Sequence, residues 1–130
     1  MSTRRWTMAL IVWTLLVWTT RIGNIWNDAD LTDGEKWGRT ALALSLTVLA
    51  VATAYALWRQ PSWRRVTVTL LAGWTTAVWA FRSVGIATGD HEAAFIIVHL
   101  VLAVVSVALS VLAVRAEEPV DRAVVSAEPV

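Results

Sequence analysis

Two stretches decide how this chain is read: LIVWTLLVWTTRIGNI at residues 10–25 and LAGWTTAVWAFRSVGI at residues 71–86. Superposed without a gap, they share Leu10/Leu71, Trp13/Trp74, Thr14/Thr75, Val17/Val78, Trp18/Trp79, Arg21/Arg82 and Ile25/Ile86. Leu and Val identities between apolar runs carry little weight. A repeated Trp-x4-Trp-x2-Arg carries more, because Trp belongs at membrane interfaces and Arg is costly within the bilayer.

The geometry of an α-helix tests the match independently. At about 100° per residue, and with Trp13 at zero, all seven shared positions of the first stretch fall on one arc of about 140°. Met8, Ile11, Leu15, Leu16 and Thr19 lie off that arc and differ between the halves. A face kept in both copies is the face both copies use. The pattern predicts that it points into a bundle, toward an axis relating the two halves.

Around these stretches the composition is that of a membrane protein. Of 130 residues, 57% are hydrophobic and 16% charged, against roughly 25% charged in a soluble domain. Four apolar runs stand out, 6–26, 40–58, 66–86 and 93–114, each close to the ~20 residues a helix needs to cross the hydrocarbon. The first follows Arg4 and Arg5 but contains Trp13 and Trp18 and ends without an A-x-A site, so a retained helix is expected rather than a cleaved signal. The expected fold is therefore an all-α membrane protein. It is a four-helix transmembrane bundle over 1–114, made of two parallel two-helix repeats, 6–58 and 66–114. Helices two and four keep a fainter echo at the same offset, Ser45 with Ser106 and Ala52 with Ala113.

Orientation follows from the loops. Arg4, Arg5, Arg59, Arg64, Arg65, Arg115 and Arg122 fall on one side, and the other carries Asp28, Asp30, Asp33 and Glu35 beside Lys36 and Arg39. The positive-inside rule puts both termini in the cytoplasm, with the plasma membrane as the expected location. Residues 115–130 hold Glu117, Glu118, Asp121 and Glu128 with Pro119 and Pro129 and no apolar period, which predicts a disordered cytoplasmic tail.

Arg21 and Arg82 are the sharpest chemical feature. Each lies near the outer end of its helix, where an arginine is tolerated because it can snorkel. Pairing with Asp28, Asp30, Asp90 or Glu92 is the plain alternative to a ligand role. The functional alternative is an outward vestibule in which two forked guanidiniums meet an anion. Asn24 and Asn27 and the loop residues Asp90, His91 and Glu92 would stand around it, with His99 at similar depth and Trp13, Trp18, Trp74 and Trp79 beneath. Mid-membrane indoles need acceptors, for which Ser45, Thr47 and Ser106 are candidates. The small residues of helices two and four offer the tryptophans a packing partner whether or not a ligand binds. The candidate ligand-binding set is therefore Arg21, Arg82, Trp13, Trp18, Trp74, Trp79, Asn24 and His99.

Other chemistry is poorly supported. There is no cysteine and there are only two histidines, so no metal or cofactor site is expected. Asp90-His91-Glu92 lacks a nucleophile elbow, and there is no P-loop or basic nucleic-acid face. The expectation is a non-enzymatic protein that contacts the lipid bilayer and no nucleic acid. It transports or binds a small anionic or amphipathic molecule or a lipid, with a homo-oligomer assembled through the Ala50-x3-Ala54 and Ala52-x3-Ala56 spacings of helix two. The alternative is an accessory subunit of a larger membrane complex. The two differ in where the Trp face points: outward for a subunit, around a cavity for a binding protein.

Overall fold

The computed structural model describes residues 2–117, and these are all-helical. Four helices follow one another: α1 (Ser2–Asn27), α2 (Asp33–Arg59), α3 (Arg64–Thr88) and α4 (Ala93–Ala116). Arg115 and Ala116 thus belong to α4, and the expected tail beyond residue 117 lies outside the described residues. α1, α2 and α4 are long and apolar enough to cross a membrane. α3 is long enough at 25 residues, but its threonines, tryptophans and Arg82 make it less apolar than its neighbours.

Local signals set the helix ends. α2 starts seven residues before its apolar run, because Thr32 and Glu35 form a capping box. The Glu35 N–H donates to Thr32 Oγ1 at 3.3 Å and the Thr32 N–H to Glu35 Oε2 at 2.9 Å. α2 stops at Gln60, which takes a left-handed conformation (φ 55°) and donates its N–H to the Ala56 carbonyl at 2.8 Å. Pro61 then prevents continuation. α4 ends where Glu117 pairs with Arg64 at 3.1 Å, joining the end of α4 to the start of α3.

Short connections make neighbouring helices antiparallel. Each helix packs on the next, and α4 closes back on α1, so the four form a ring with α1 opposite α3 and α2 opposite α4. The core has two clusters. Leu10, Leu57, Val68, Leu71 and Ala113 meet near the end that carries the termini. Trp18 and Trp79 meet Ala43, Leu46, Val78 and Ala103 toward the other end. Large side chains from α1 and α3 thus fill space left by alanines on α2 and α4.

Most of the matched Trp–Arg face is turned inward, with Trp74 exposed. Leu10, Thr14, Trp18 and Ile25 are buried, as are Leu71, Thr75, Val78, Trp79 and Ile86. The second helix of each pair follows a different offset from the sequence expectation. The buried positions Ala43, Leu46, Ala50, Thr53 and Leu57 of α2 match Ala103, Ser106, Ser110, Ala113 and Glu117 of α4. That offset is one residue shorter than the one relating α1 to α3. The cause is local: residues 28–32 join α1 to α2, whereas the shorter 89–92 join α3 to α4. In burial Ser45 aligns with Val105, but in hydrogen bonding it remains the match of Ser106, since each accepts from the Trp of the repeated stretch.

Candidate functional site

The residues singled out above sit toward the end of the ring where α1 leads into α2. Trp13, Val17, Trp18, Arg21 and Asn24 recur at helical spacing along one face of α1 and all border one cavity of about 350 Å³. From α3 come Trp79 and Arg82, and from α4 come Val98, His99 and Leu102. Seven of the eight candidate residues thus share one space.

Trp74 is the exception. It is 41% exposed and turned toward α2, where its indole donates to Ser45 Oγ at 2.9 Å. Its counterpart Trp13 instead borders the cavity and donates to Ser106 Oγ at 2.8 Å. The two bonds are reciprocal: α1 reaches α4, and α3 reaches α2. Ser106 in turn donates to the Leu102 carbonyl at 2.7 Å, which fixes the Trp13 ring against α4.

Trp18 and Trp79 form the inner wall. Their ring centroids lie 5.9 Å apart at 51°, a contact between helices on opposite corners of the ring. Trp79 is 3% exposed, and its indole N–H has no acceptor among the described residues. A buried donor left unpaired costs about 1–3 kcal/mol, so it is not a feature that packing alone selects.

Arg21 and Arg82 are half-buried and border the same cavity. Among the described residues neither guanidinium has an ion pair or a hydrogen bond, and the Nε of Arg82 is buried without a partner. Pairing with the outer-loop acids therefore does not account for them. Asp28 is near enough to act on the charge of Arg21 but makes no contact with it. Arg82 lies within electrostatic reach of Arg21, and both lie within reach of a third cation, Arg39.

Arg39 was not among the candidates. It is exposed, lies on the capped extension of α2, and is close enough to act on the charges of Arg21 and Arg82. One basic residue from each helix, Arg21, Arg39, Arg82 and His99, thus belongs to this end of the ring. The sequence signal was available in the Thr32-x2-Glu35 capping box, which extends α2 through Arg39.

His99 is held by its own helix. Its Nδ1 lies 2.8 Å from the Phe95 carbonyl, and its ring lies 3.9 Å from the Phe95 ring, which in turn stacks on His91 at 4.6 Å. A carbonyl oxygen can only accept, so Nδ1 carries the hydrogen.

Asn27, Asp90, His91 and Glu92 do not border the cavity, contrary to the vestibule expected from sequence. All four are exposed. Every residue that borders the cavity is helical, from α1, α3 or α4. Among the described residues no group of three or more His, Asp or Glu side chains could hold a metal ion.

Comparison with protein families, curated proteins and solved structures found no match for this chain.

Proposed function

We propose that this chain is a four-span membrane protein, built from two parallel two-helix repeats, that binds an amphipathic anion in the cavity between α1, α3 and α4. The observation that carries the reading is the pair Arg21 and Arg82. Two guanidiniums without acidic partners among the described residues border one cavity whose remaining lining is largely aromatic and aliphatic. Forked donors suit a carboxylate or phosphate, and the Trp and Leu walls suit an apolar body. A volume of about 350 Å³ falls within the ~300–1,000 Å³ usual for small-molecule sites.

The repeat is supported by the reciprocal Trp13–Ser106 and Trp74–Ser45 bonds and by the matched burial of α1 and α3. Reciprocal contacts are what a twofold relation generates. The crossing of α3 is supported by its place between α2 and α4. Part of its hydroxyl complement is also satisfied internally: Thr69 and Thr76 donate to the carbonyls four residues back, at 2.8 Å in both cases, whereas the buried Thr75 hydroxyl has no partner among the described residues. Four crossings put both termini on the Arg-rich side, the cytoplasm by the positive-inside rule.

Binding is favoured over conduction, because Trp18 and Trp79 meet across the ring and close its axis. A second reading has one observation behind it. The outer face of α3 exposes Trp74 and Phe81 beside Gly73 and Ala77, a surface that suits a second copy or a larger membrane partner.

Isothermal titration of the purified protein with octyl phosphate tests the binding reading. Binding lost in Arg21→Gln and Arg82→Gln, with folding intact, is the expected result. Binding indifferent to both arginines would reject it.

A further inference from the structure

The cavity does not lie under the loops. Its exposed lining residues Leu16, Thr20 and Asn24 follow one stripe of α1, and Val98 faces them from α4. Leu16 is 60% exposed and Val98 54%. The mouth is therefore on the flank of the ring, between two apolar helices, where a spanning protein meets lipid tails rather than water.

The stripe is graded. From Leu16 to Asn24 the helix rises about 12 Å, from an aliphatic side chain through Thr20 and Arg21 to an amide. Trp13 and Leu16 line the apolar part. Arg21, Arg82 and Asn24 line the part nearer the helix end. A bilayer lipid has the same order, with acyl chains toward the middle and phosphate toward the surface. The corresponding stripe of α3 is Ala77, Phe81 and Gly85, which has no such gradient, and Phe81 is 83% exposed there. Only one flank carries the pattern.

We infer that the cavity takes one anionic phospholipid from the surrounding leaflet, through the α1/α4 flank, with its phosphate between Arg21 and Arg82 and an acyl chain along Leu16 and Val98. This rests on the reading of the cavity as an anion site. A phosphodiester offers two non-bridging oxygens to two forked donors. Two guanidiniums on the cavity wall with no paired acid among the described residues favour a lipid of net negative charge over a zwitterionic one.

The test reconstitutes the full chain in nanodiscs holding equal phosphatidylglycerol and phosphatidylcholine, then weighs the released protein by native mass spectrometry. The expected result is one phosphatidylglycerol per chain, with little phosphatidylcholine. Losing a charge-assisted contact worth about 1.5–3 kcal/mol should lower that adduct about tenfold or more in Arg21→Gln and in Arg82→Gln. Arg21→Lys and Arg82→Lys, which keep the charge, should retain part of it and serve if the glutamine variants unfold. Leu16→Trp, which narrows the flank without touching an arginine, should also lower it. Equal adducts of both lipids, or an adduct unchanged in Leu16→Trp, would overturn the inference. Arginine-dependent binding of octyl phosphate with no lipid adduct would also overturn it, while leaving the anion cavity standing. Failure of the folded protein to bind either probe would remove both.

Discussion

The indoles of Trp18 and Trp79 meet across the ring with their centroids 5.9 Å apart, although α1 and α3 occupy opposite corners. The contact needs Ala43 and Ala103 beside it, because larger side chains would keep the two rings apart. It also forms the inner wall of the cavity, so one contact serves both packing and the site.

Trp18→Ala should destabilise the protein by about 3–5 kcal/mol, the usual cost of emptying a buried aromatic position. Trp79→Phe should behave differently. It keeps most of the ring and removes an unpaired buried N–H, so thermal unfolding in detergent should show equal or higher stability. A loss as large as that of Trp18→Ala would contradict this expectation.

The two arginines should act together on binding and separately on stability. If they share one anion, Arg21→Gln and Arg82→Gln should each lose nearly as much affinity as the double variant, whereas independent sites would give additive losses. Without ligand, either substitution removes one of two mutually repelling, half-buried cations. The unfolding temperature should therefore hold or rise, as at other sites where function strains the fold. Titration and thermal unfolding on the same four proteins measure both effects.

The reciprocal Trp–Ser bonds should differ in strength despite their matched chemistry. Ser106 is 1% exposed and accepts from Trp13, whereas Ser45 accepts from a Trp74 that is 41% exposed. Ser106→Ala strands a part-buried indole and should cost about 1–3 kcal/mol. Ser45→Ala leaves Trp74 within reach of other partners at the surface and should cost less. Equal losses in thermal unfolding would contradict the difference in environment.

The Arg64–Glu117 pair offers a third asymmetry. The Arg64 side chain is 27% exposed and that of Glu117 only 5%. Removing Arg64 leaves a buried carboxylate without its cation, so Arg64→Ala should destabilise more than Glu117→Leu. The α2 counterpart of Glu117 is the buried Leu57, which indicates that an apolar side chain fits such a position. The double variant Arg64→Leu/Glu117→Leu should come close to neutral, since a well-packed apolar pair can replace a buried ion pair.

Topology turns on whether α3 crosses. The chain contains no cysteine, so a single introduced one reports accessibility cleanly. With four crossings, Ser62→Cys should react only from the cytoplasmic face and Asp90→Cys only from the opposite face. Reaction of both from one face would leave α3 outside the bilayer and the termini on opposite sides.

The amino-acid sequence by itself determined the number of helices, the inward face of α1 and α3, and the association of the two arginines with Trp18 and Trp79. Helix number and facing are local properties. An apolar run of about 20 residues and a period of 3.6 are written in consecutive residues, and hydrocarbon admits few alternatives. Seven of the eight residues chosen on that basis border one cavity. The tertiary structure alone decided the rest. It set the burial register of α2 against α4, which a one-residue difference in loop length shifts. It turned Trp74 toward α2 and left Trp13 in the cavity. It also placed the mouth on the α1/α4 flank instead of under the loops. Each of these depends on how a helix is rotated against neighbours distant in sequence, and a helical period is blind to that rotation once several faces are apolar.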